Sequence, residues 1–282
     1  MRFTKMQGAG NDFIIIDNTV AKLTEEQMPL AAKRLCARRT SIGADGMMFV
    51  DKAVNGGDFS MRFYNLDGSL GEMCGNGARC IARYGFEKGL ASGDVVRVET
   101  TAGMVEGVRV TKREYRIRLN DPTVLEAHRP VTALGETWDT AYAELGNPGL
   151  PHAVLVYEGY EGPESCPSLR QLGSAIRHGD AFPKGANASF VRVIGEDDVL
   201  AATFERGVED FTLACGTGAG SITALLTMRG LVSGKNVRIR MPGGDLTVDL
   251  ERDGDAITGI YLTGPTNIVA EGEILDEEFD VC

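Results

Sequence analysis

The chain reads as an α/β protein of α+β type. It has two pseudo-symmetric halves from an internal duplication, each a curved, mostly antiparallel sheet wrapped around a central helix. Three observations predict this. The sequence repeats at an offset of 141 residues, and each copy is a series of short apolar stretches separated by turn signals. Each copy also holds one long helical stretch, opened by Cys74-Gly75-Asn76-Gly77 in the first and Cys215-Gly216-Thr217-Gly218 in the second. Many strands with a single long helix per half favour sheets that curl around that helix.

The repeat carries the argument. Between residues 74–103 and 215–244, 12 of 30 positions are identical, where ordinary residue frequencies give roughly two. Without a gap, the same offset pairs Phe63 with Phe204, Phe49-Val50 with Phe190-Val191, and residues 13–16 with 154–157. It also pairs Asn65 with Arg206 and Asn11 with His152, so like positions carry unlike polar groups and the halves are expected to play asymmetric roles. The halves are placed at 1–119, joined by the C-terminal segment 264–282, and at 120–263.

Residues 13–17 read as a buried strand after the Gly8-Ala9-Gly10 turn, and 28–39 have helical spacing with basic residues gathered late. The Gly43-Ala44-Asp45-Gly46 turn leads into a strand at 47–50. Asn55-Gly56-Gly57-Asp58 signals a hairpin before the alternating strand 59–64. A helix follows over about 75–88, stopped by Gly89. Strands at 95–98, 107–110 and 115–119 complete the first half. Asn120-Asp121-Pro122 then breaks the pattern, and a polar stretch runs through Trp138.

Composition narrows the classes of function. With 43% hydrophobic and 24% charged residues the chain is globular, and 282 residues suffice for two ordinary cores. A net charge of −11 argues against nucleic acid or an anionic membrane as partner, since both need a positive field. The N-terminus lacks the pattern of a secretory signal and apolar runs are too short to span a bilayer, so a cytoplasmic location is expected. Six cysteines without a Cys-x-x-Cys pair, and three histidines far apart, argue for free thiols and against a zinc site.

Cys74 and Cys215 stand apart from the other thiols. A cysteine at a helix N-terminus meets the positive end of the macrodipole and unpaired backbone N–H groups, which favour its thiolate. The flanking glycines let those N–H groups approach an anion closely. Two such thiols suit proton removal from one face of an α-carbon and delivery to the other, which inverts it, with the developing charge stabilised by fixed dipoles. No metal, pyridoxal or nicotinamide is needed, and no nucleotide-binding motif is present. Cys36, Cys80, Cys166 and Cys282 read as small core residues, and Cys80 pairs with Ser221 at the 141 offset. Two thiols could also form a redox pair.

With these residues in hand, the sequence resembles the diaminopimelate epimerase family of cofactor-independent amino-acid epimerases over essentially its whole length. The resemblance rests on GAGNDFIIID at 8–17, GADG at 43–46, YNLDGSLGEMCGNGARC at 64–80, FPKGAN at 182–187, ERGVEDFTLACGTGAG at 205–220 and LTGP at 262–265. It implies a pair of α/β domains with the active site between them, a homodimer, and Cys74 and Cys215 as the two acid/base groups. It further implies that Asn11, Asn65, Asn187, Glu205 and Arg206 line the site, with Gly75, Asn76, Gly216 and Thr217 near the reacting carboxylate. A guanidinium at Arg206 suits bidentate carboxylate pairing.

There is a departure from the family pattern. Many members read Asn-Pro-His consecutively, with the asparagine helping to bind the distal amino-acid group. Here Asn147 is separated from His152, so Asn147 or Leu150 stands in that place. Gly46 likewise stands where some relatives have a larger polar residue. The resemblance implies epimerisation of LL-diaminopimelate to the meso form, feeding lysine and peptidoglycan synthesis. A racemase of another amino acid, such as histidine, and a non-catalytic thiol redox or ligand-binding relative are the alternatives.

Overall fold

The apolar runs of the sequence become β-strands in a computed structural model that describes residues 1–71, 74–91, 93–164 and 168–275. Cys166 and Cys282, read above as core thiols, lie outside the described residues, as do Glu72 and Met73 of the first cysteine motif. The chain divides into two units, Met1–Ile117 with the segment from Gly264, and Arg118–Thr263.

In the first unit the strands are β1 (Arg2–Gly8), β2 (Asn11–Asp17), β3 (Gly46–Asp51), β4 (Phe59–Asn65), β5 (Val95–Thr100), β6 (Gly103–Arg109) and β7 (Glu114–Arg118). Its helices are α1 (Asn18–Ala21), α2 (Gln27–Leu35) and α3 (Gly75–Glu87). The second holds β8 (Pro122–Ala133), β9 (Glu136–Leu145), β10 (Leu150–Val156), α4 (Ser168–Arg177), β11 (Asn187–Gly195), β12 (Asp198–Phe204), α5 (Gly216–Met228), β13 (Val237–Met241), β14 (Gly244–Asp253) and β15 (Ala256–Pro265). The last strand, β16 (Asn267–Glu273), returns to the first unit.

Within the first unit the strand order is β16-β1-β2-β3-β4-β5-β6-β7, and within the second it is β8-β9-β10-β11-β12-β13-β14-β15. In each, the third strand from the edge is parallel to the fourth, and the fifth to the sixth: β2 with β3 and β4 with β5, then β10 with β11 and β12 with β13. The other ladders described within each unit are antiparallel.

The Phe13-Ile14-Ile15-Ile16 run is unbroken because β2 is buried on both faces. Phe13 and Ile15 join Met48, Phe63, Val96 and Tyr115 around α3, whereas Ile14 and Ile16 join Met47 and Phe49 under α2. Such all-round burial makes α3 a core helix, with even Arg79 at 0% exposure. α5 is buried in the same way, and α4 sets Leu169, Leu172 and Ile176 against Phe190 and Phe204. Both core helices end at a glycine in the left-handed region, Gly89 at φ +66° and Gly230 at φ +69°, a conformation that costs glycine least.

Two expectations need correction. The polar stretch through Trp138, read above without strands, is structured: β8 and β9 form a long antiparallel hairpin, turned by Leu134 and Gly135 at positive φ. β8 is an edge strand whose side chains are largely half-exposed, so its sequence lacks apolar alternation. The repeat also does not run without a gap. The offset of 141 holds for the core helices (Gly75–Glu87 against Gly216–Met228). It slips in β10: Phe13 pairs with Gly46, but His152 pairs with Asn187. Gly46 and Asn187 are 141 apart, so His152 occupies the place of Phe13, and Leu150 that of Asn11. A slip of two keeps each side chain on its own face of the sheet. It therefore passes unseen in the hydrophobic pattern.

Candidate active site

In the first unit the site is built at the start of α3. Cys74 is the N-cap, in extended backbone (φ −99°, ψ 128°), so its side chain stands clear of the helix. Its Sγ lies 3.3 Å from Asn11 Oδ1, and Asn11, the first residue of β2, donates through Nδ2 to Asp45 Oδ2 at 2.6 Å. Behind them Asp45 accepts from Arg38 at 2.8 Å, and Asp12 accepts from Arg38 at 2.6 Å and pairs with Lys5 at 2.6 Å. Partial burial pulls the Asp12 carboxyl upward, but its hydrogen bonds to Lys5 and Arg38 outweigh that and hold it below the usual carboxylate range.

Along α3, Gly75 and Asn76 are buried, and the Arg79 guanidinium reaches back to the Gly75 carbonyl at 3.3 Å and to Asn76 Oδ1 at 2.7 Å. Burial pushes the Arg79 pKa down, opposed by the neighbouring Cys80 and Cys74 thiols. Asn65 closes the β4 end, where its Nδ2 donates to Ser69 Oγ at 3.0 Å and its backbone N–H to the Ser69 carbonyl at 2.9 Å.

In the second unit Cys215 is again an extended N-cap, here with Sγ accepting from the Gly218 N–H at 3.3 Å. The sulfur thus satisfies one of the orphan donors that open a helix. Gly218 leaves it room: a Cβ there would lie 3.1 Å from the sulfur and 3.0 Å from Thr203 Oγ1. Thr217 Oγ1 sits 3.6 Å from Sγ and 3.1 Å from His152 Nε2. Asn187 accepts the Arg206 N–H at 2.8 Å through Oδ1, which turns its Nδ2 toward His152 Nε2 at 3.5 Å. Nε2 therefore faces a donor and acts as acceptor, and the Thr217 hydroxyl can donate to it. Full burial, helped by the Arg206 charge, depresses the His152 pKa to about 3, so the ring is neutral. Its Nδ1 is buried with no partner among the described residues.

Glu205 accepts from Thr212 Oγ1 at 2.7 Å and is hydrogen-bonded to Cys215. Burial raises its carboxyl above the usual range, against those two hydrogen bonds. Burial foremost, then the Glu205 charge, pushes the Cys215 thiol well above its ordinary value, despite the Thr217 and Gly218 contacts. For this chain without substrate, desolvation outweighs the helix-start donors.

Each unit thus gathers its own share of the expected residues: Cys74, Asn11, Asn65, Gly75 and Asn76 in the first, and Cys215, Gly216, Thr217, His152, Asn187, Glu205 and Arg206 in the second. Leu150 opens β10, on the same strand face as His152. Asn147 lies exposed in the turn between β9 and β10, apart from these contacts. Cys36 and Cys80 are buried free thiols, both pushed up to about 12 chiefly by burial, as inert core cysteines are. Asp45, Arg38 and Arg79 were not expected as members. Asp45 and Arg79 lie inside quoted motifs and Arg38 in none, but a contact between Asn11 and Asp45 spans 34 residues and has no local pattern.

The chemistry on offer is proton transfer by thiols at two helix starts, that of Cys215 accepting a backbone N–H, with buried amides and a guanidinium to orient a zwitterion. The sequence matches the diaminopimelate epimerase family profile over residues 3–119 and 145–269. It is 37% identical to the diaminopimelate epimerase of Aquifex aeolicus (strain VF5), covering 98% of this chain and 99% of that protein. It is 36% identical to that of Hydrogenobaculum sp. (strain Y04AAS1), covering 99% and 100%. Among solved structures, a PhzF-family phenazine biosynthesis protein of Bacillus anthracis aligns with a TM-score of 0.73 at 16% identity, covering 98% of this chain and 99% of that one. A hydroxyproline epimerase of Agrobacterium vitis aligns at 0.71 and 18%, covering 99% and 93%. At such identities the structural likeness concerns the fold alone.

Proposed function

Because the chain belongs to the diaminopimelate epimerase family, we propose that it inverts the α-carbon of LL-diaminopimelate to give the meso form, with Cys74 and Cys215 as acid/base groups and no cofactor. The observation that carries this reading is the pair of equivalent helix-start cysteines in two like-folded units, each with its own polar partners. Removal of the α-hydrogen leaves a carbanion that the substrate carboxylate delocalises. One thiolate takes the proton and the other cysteine's thiol returns its own to the opposite face, so a turnover exchanges their protonation states. Amino-acid carbon acids are weak, and fixed N–H dipoles at the helix starts lower the cost of the developing charge.

The polar groups support an amino-acid zwitterion as substrate. Glu205 suits the ammonium, and neutralising that carboxylate would relieve part of what holds Cys215 as a thiol. Arg206, Asn65 and Asn187 suit a second polar end. Leu150 contributes none. Family membership also supports a homodimer; a solution mass near the 30.2 kDa of one chain would discard it.

Exchange of the α-hydrogen in deuterated water, followed across an amino-acid panel, tests the function. Diaminopimelate is expected to exchange. Exchange with histidine and none with diaminopimelate would replace the substrate, and exchange with no amino acid would leave the redox or ligand-binding reading. Cys74→Ala and Cys215→Ala should each lower inversion at least about a thousandfold, and full activity in either removes the two-base scheme.

A further inference from the structure

The Asn11 amide facing Cys74 has a defined orientation, and its cause is a second residue. Asp45 Oδ2, 2.6 Å away, can only accept, so the Asn11 atom toward it is Nδ2. Oδ1 therefore faces the Cys74 sulfur at 3.3 Å. An amide oxygen also only accepts. A thiol can donate to it, whereas a thiolate would meet its lone pairs. Asp45 is itself anchored through Oδ1 by Arg38 at 2.8 Å, and its Oδ2 also takes the Asp12 N–H at 3.0 Å. We propose that Asp45, anchored by Arg38, is a positioning residue that fixes the Asn11 amide with its oxygen toward Cys74 and so biases that cysteine toward the proton-donating thiol.

The second unit is built otherwise. At the 141 offset Asp45 becomes Ala186, which cannot orient anything, and the Cys215 sulfur accepts from the Gly218 N–H and is hydrogen-bonded directly to the Glu205 carboxylate, with no oriented amide between. The charged and titratable groups around Cys74 among the described residues are Arg79 and Cys80 on its own helix, and Asp12, Asp45, Lys5 and Arg38 behind Asn11. The Arg79 cation pulls toward the thiolate. The Asn11 oxygen opposes it, and removing the Asp45 anchor releases that opposition.

The inference rests on the two-cysteine reading for its importance but is tested without turnover. The rate of Cys74 alkylation by iodoacetamide, followed against pH by mass spectrometry of its peptide in the full-length chain, reports the thiolate fraction. In Asp45→Asn the amide at 45 no longer dictates the Asn11 orientation, and the Cys74 midpoint should fall by about one pH unit, a tenfold gain in thiolate at a given pH. The Cys215 curve in the same sample should stay in place, and Asp45→Glu should recover part of the shift. Asn11→Ala should lower the midpoint as well, and adding Asp45→Asn to it should change nothing more, because Asp45 acts through Asn11. An unshifted midpoint in a folded Asp45→Asn protein, or a full further shift in the double variant, overturns the proposal. Should Asp45→Asn not fold, Arg38→Gln is read in its place, with a smaller shift in the same direction expected and none overturning the proposal. If Cys74→Ala retained full inversion, the catalytic reading would fall while these midpoints would still measure the relay.

Discussion

His152 shows how burial sets the chemistry of a single side chain. Its ring has no exposed surface, and its proton affinity is depressed to about 3 from an ordinary 6.5. In the unfolded chain the ring takes up a proton as pH falls below 6.5, while the folded chain resists until near 3. The stability that His152 contributes is thus present above 6.5 and is lost progressively below it. Between pH 7 and 5.5 this should cost about 1 kcal/mol in wild type. His152→Gln should lose correspondingly less in urea titrations over that window, and equal losses would show that the ring is not buried neutral. Residue identity alone did not reveal this state. A histidine paired by repeat with an asparagine suggested a site, but its neutrality follows from full burial and from the nearby Arg206 charge, which pairing of β10 with β11 brings about.

At the scale of elements, the core helices were legible because they carry their own punctuation. Cysteine and glycines open them, glycines in the left-handed region close them, and the repeat marks both. The fit of a helix into its sheet was not. Gly107 of β6 sits against α3 so closely that an added Cβ would lie 2.4 Å from Ala82 Cβ and 3.2 Å from Val96 Cγ1. Ala82 has no flexible end to yield, so helix and strand must separate. Gly107→Ala should therefore destabilise by about 1–3 kcal/mol, measured from the denaturant midpoint. Ala82→Gly added to it should cost less than the two single changes summed; strict additivity would deny the contact. The β8–β9 hairpin escaped sequence reading for the opposite reason, since an edge strand with half-exposed side chains has little periodicity to show.

For the molecule as a whole, duplication followed by divergence predicts stereochemically unequal halves. In the two-base scheme proposed above, each cysteine serves one face of the α-carbon. With one replaced by alanine, the other can still remove a proton and exchange it with solvent, but only from the stereoisomer whose hydrogen it faces. In deuterated water Cys74→Ala and Cys215→Ala should each exchange one configuration at the α-carbon, and not the same one. Exchange of the same configuration by both variants would contradict one base per face. The sequence by itself determined the duplication, the two core helices and the two cysteines at their starts, because these are written in local periodicity and in identities repeated 141 residues apart. Only the tertiary structure decided what each sulfur faces: an amide oxygen oriented by Asp45 at Cys74, a helix N–H and a buried carboxylate at Cys215. It also decided the two-residue slip that sets Leu150 in the place of Asn11. These depend on strand pairing and burial between distant segments, where the desolvation that moves a proton is a property of the packed interior and not of any one stretch of chain.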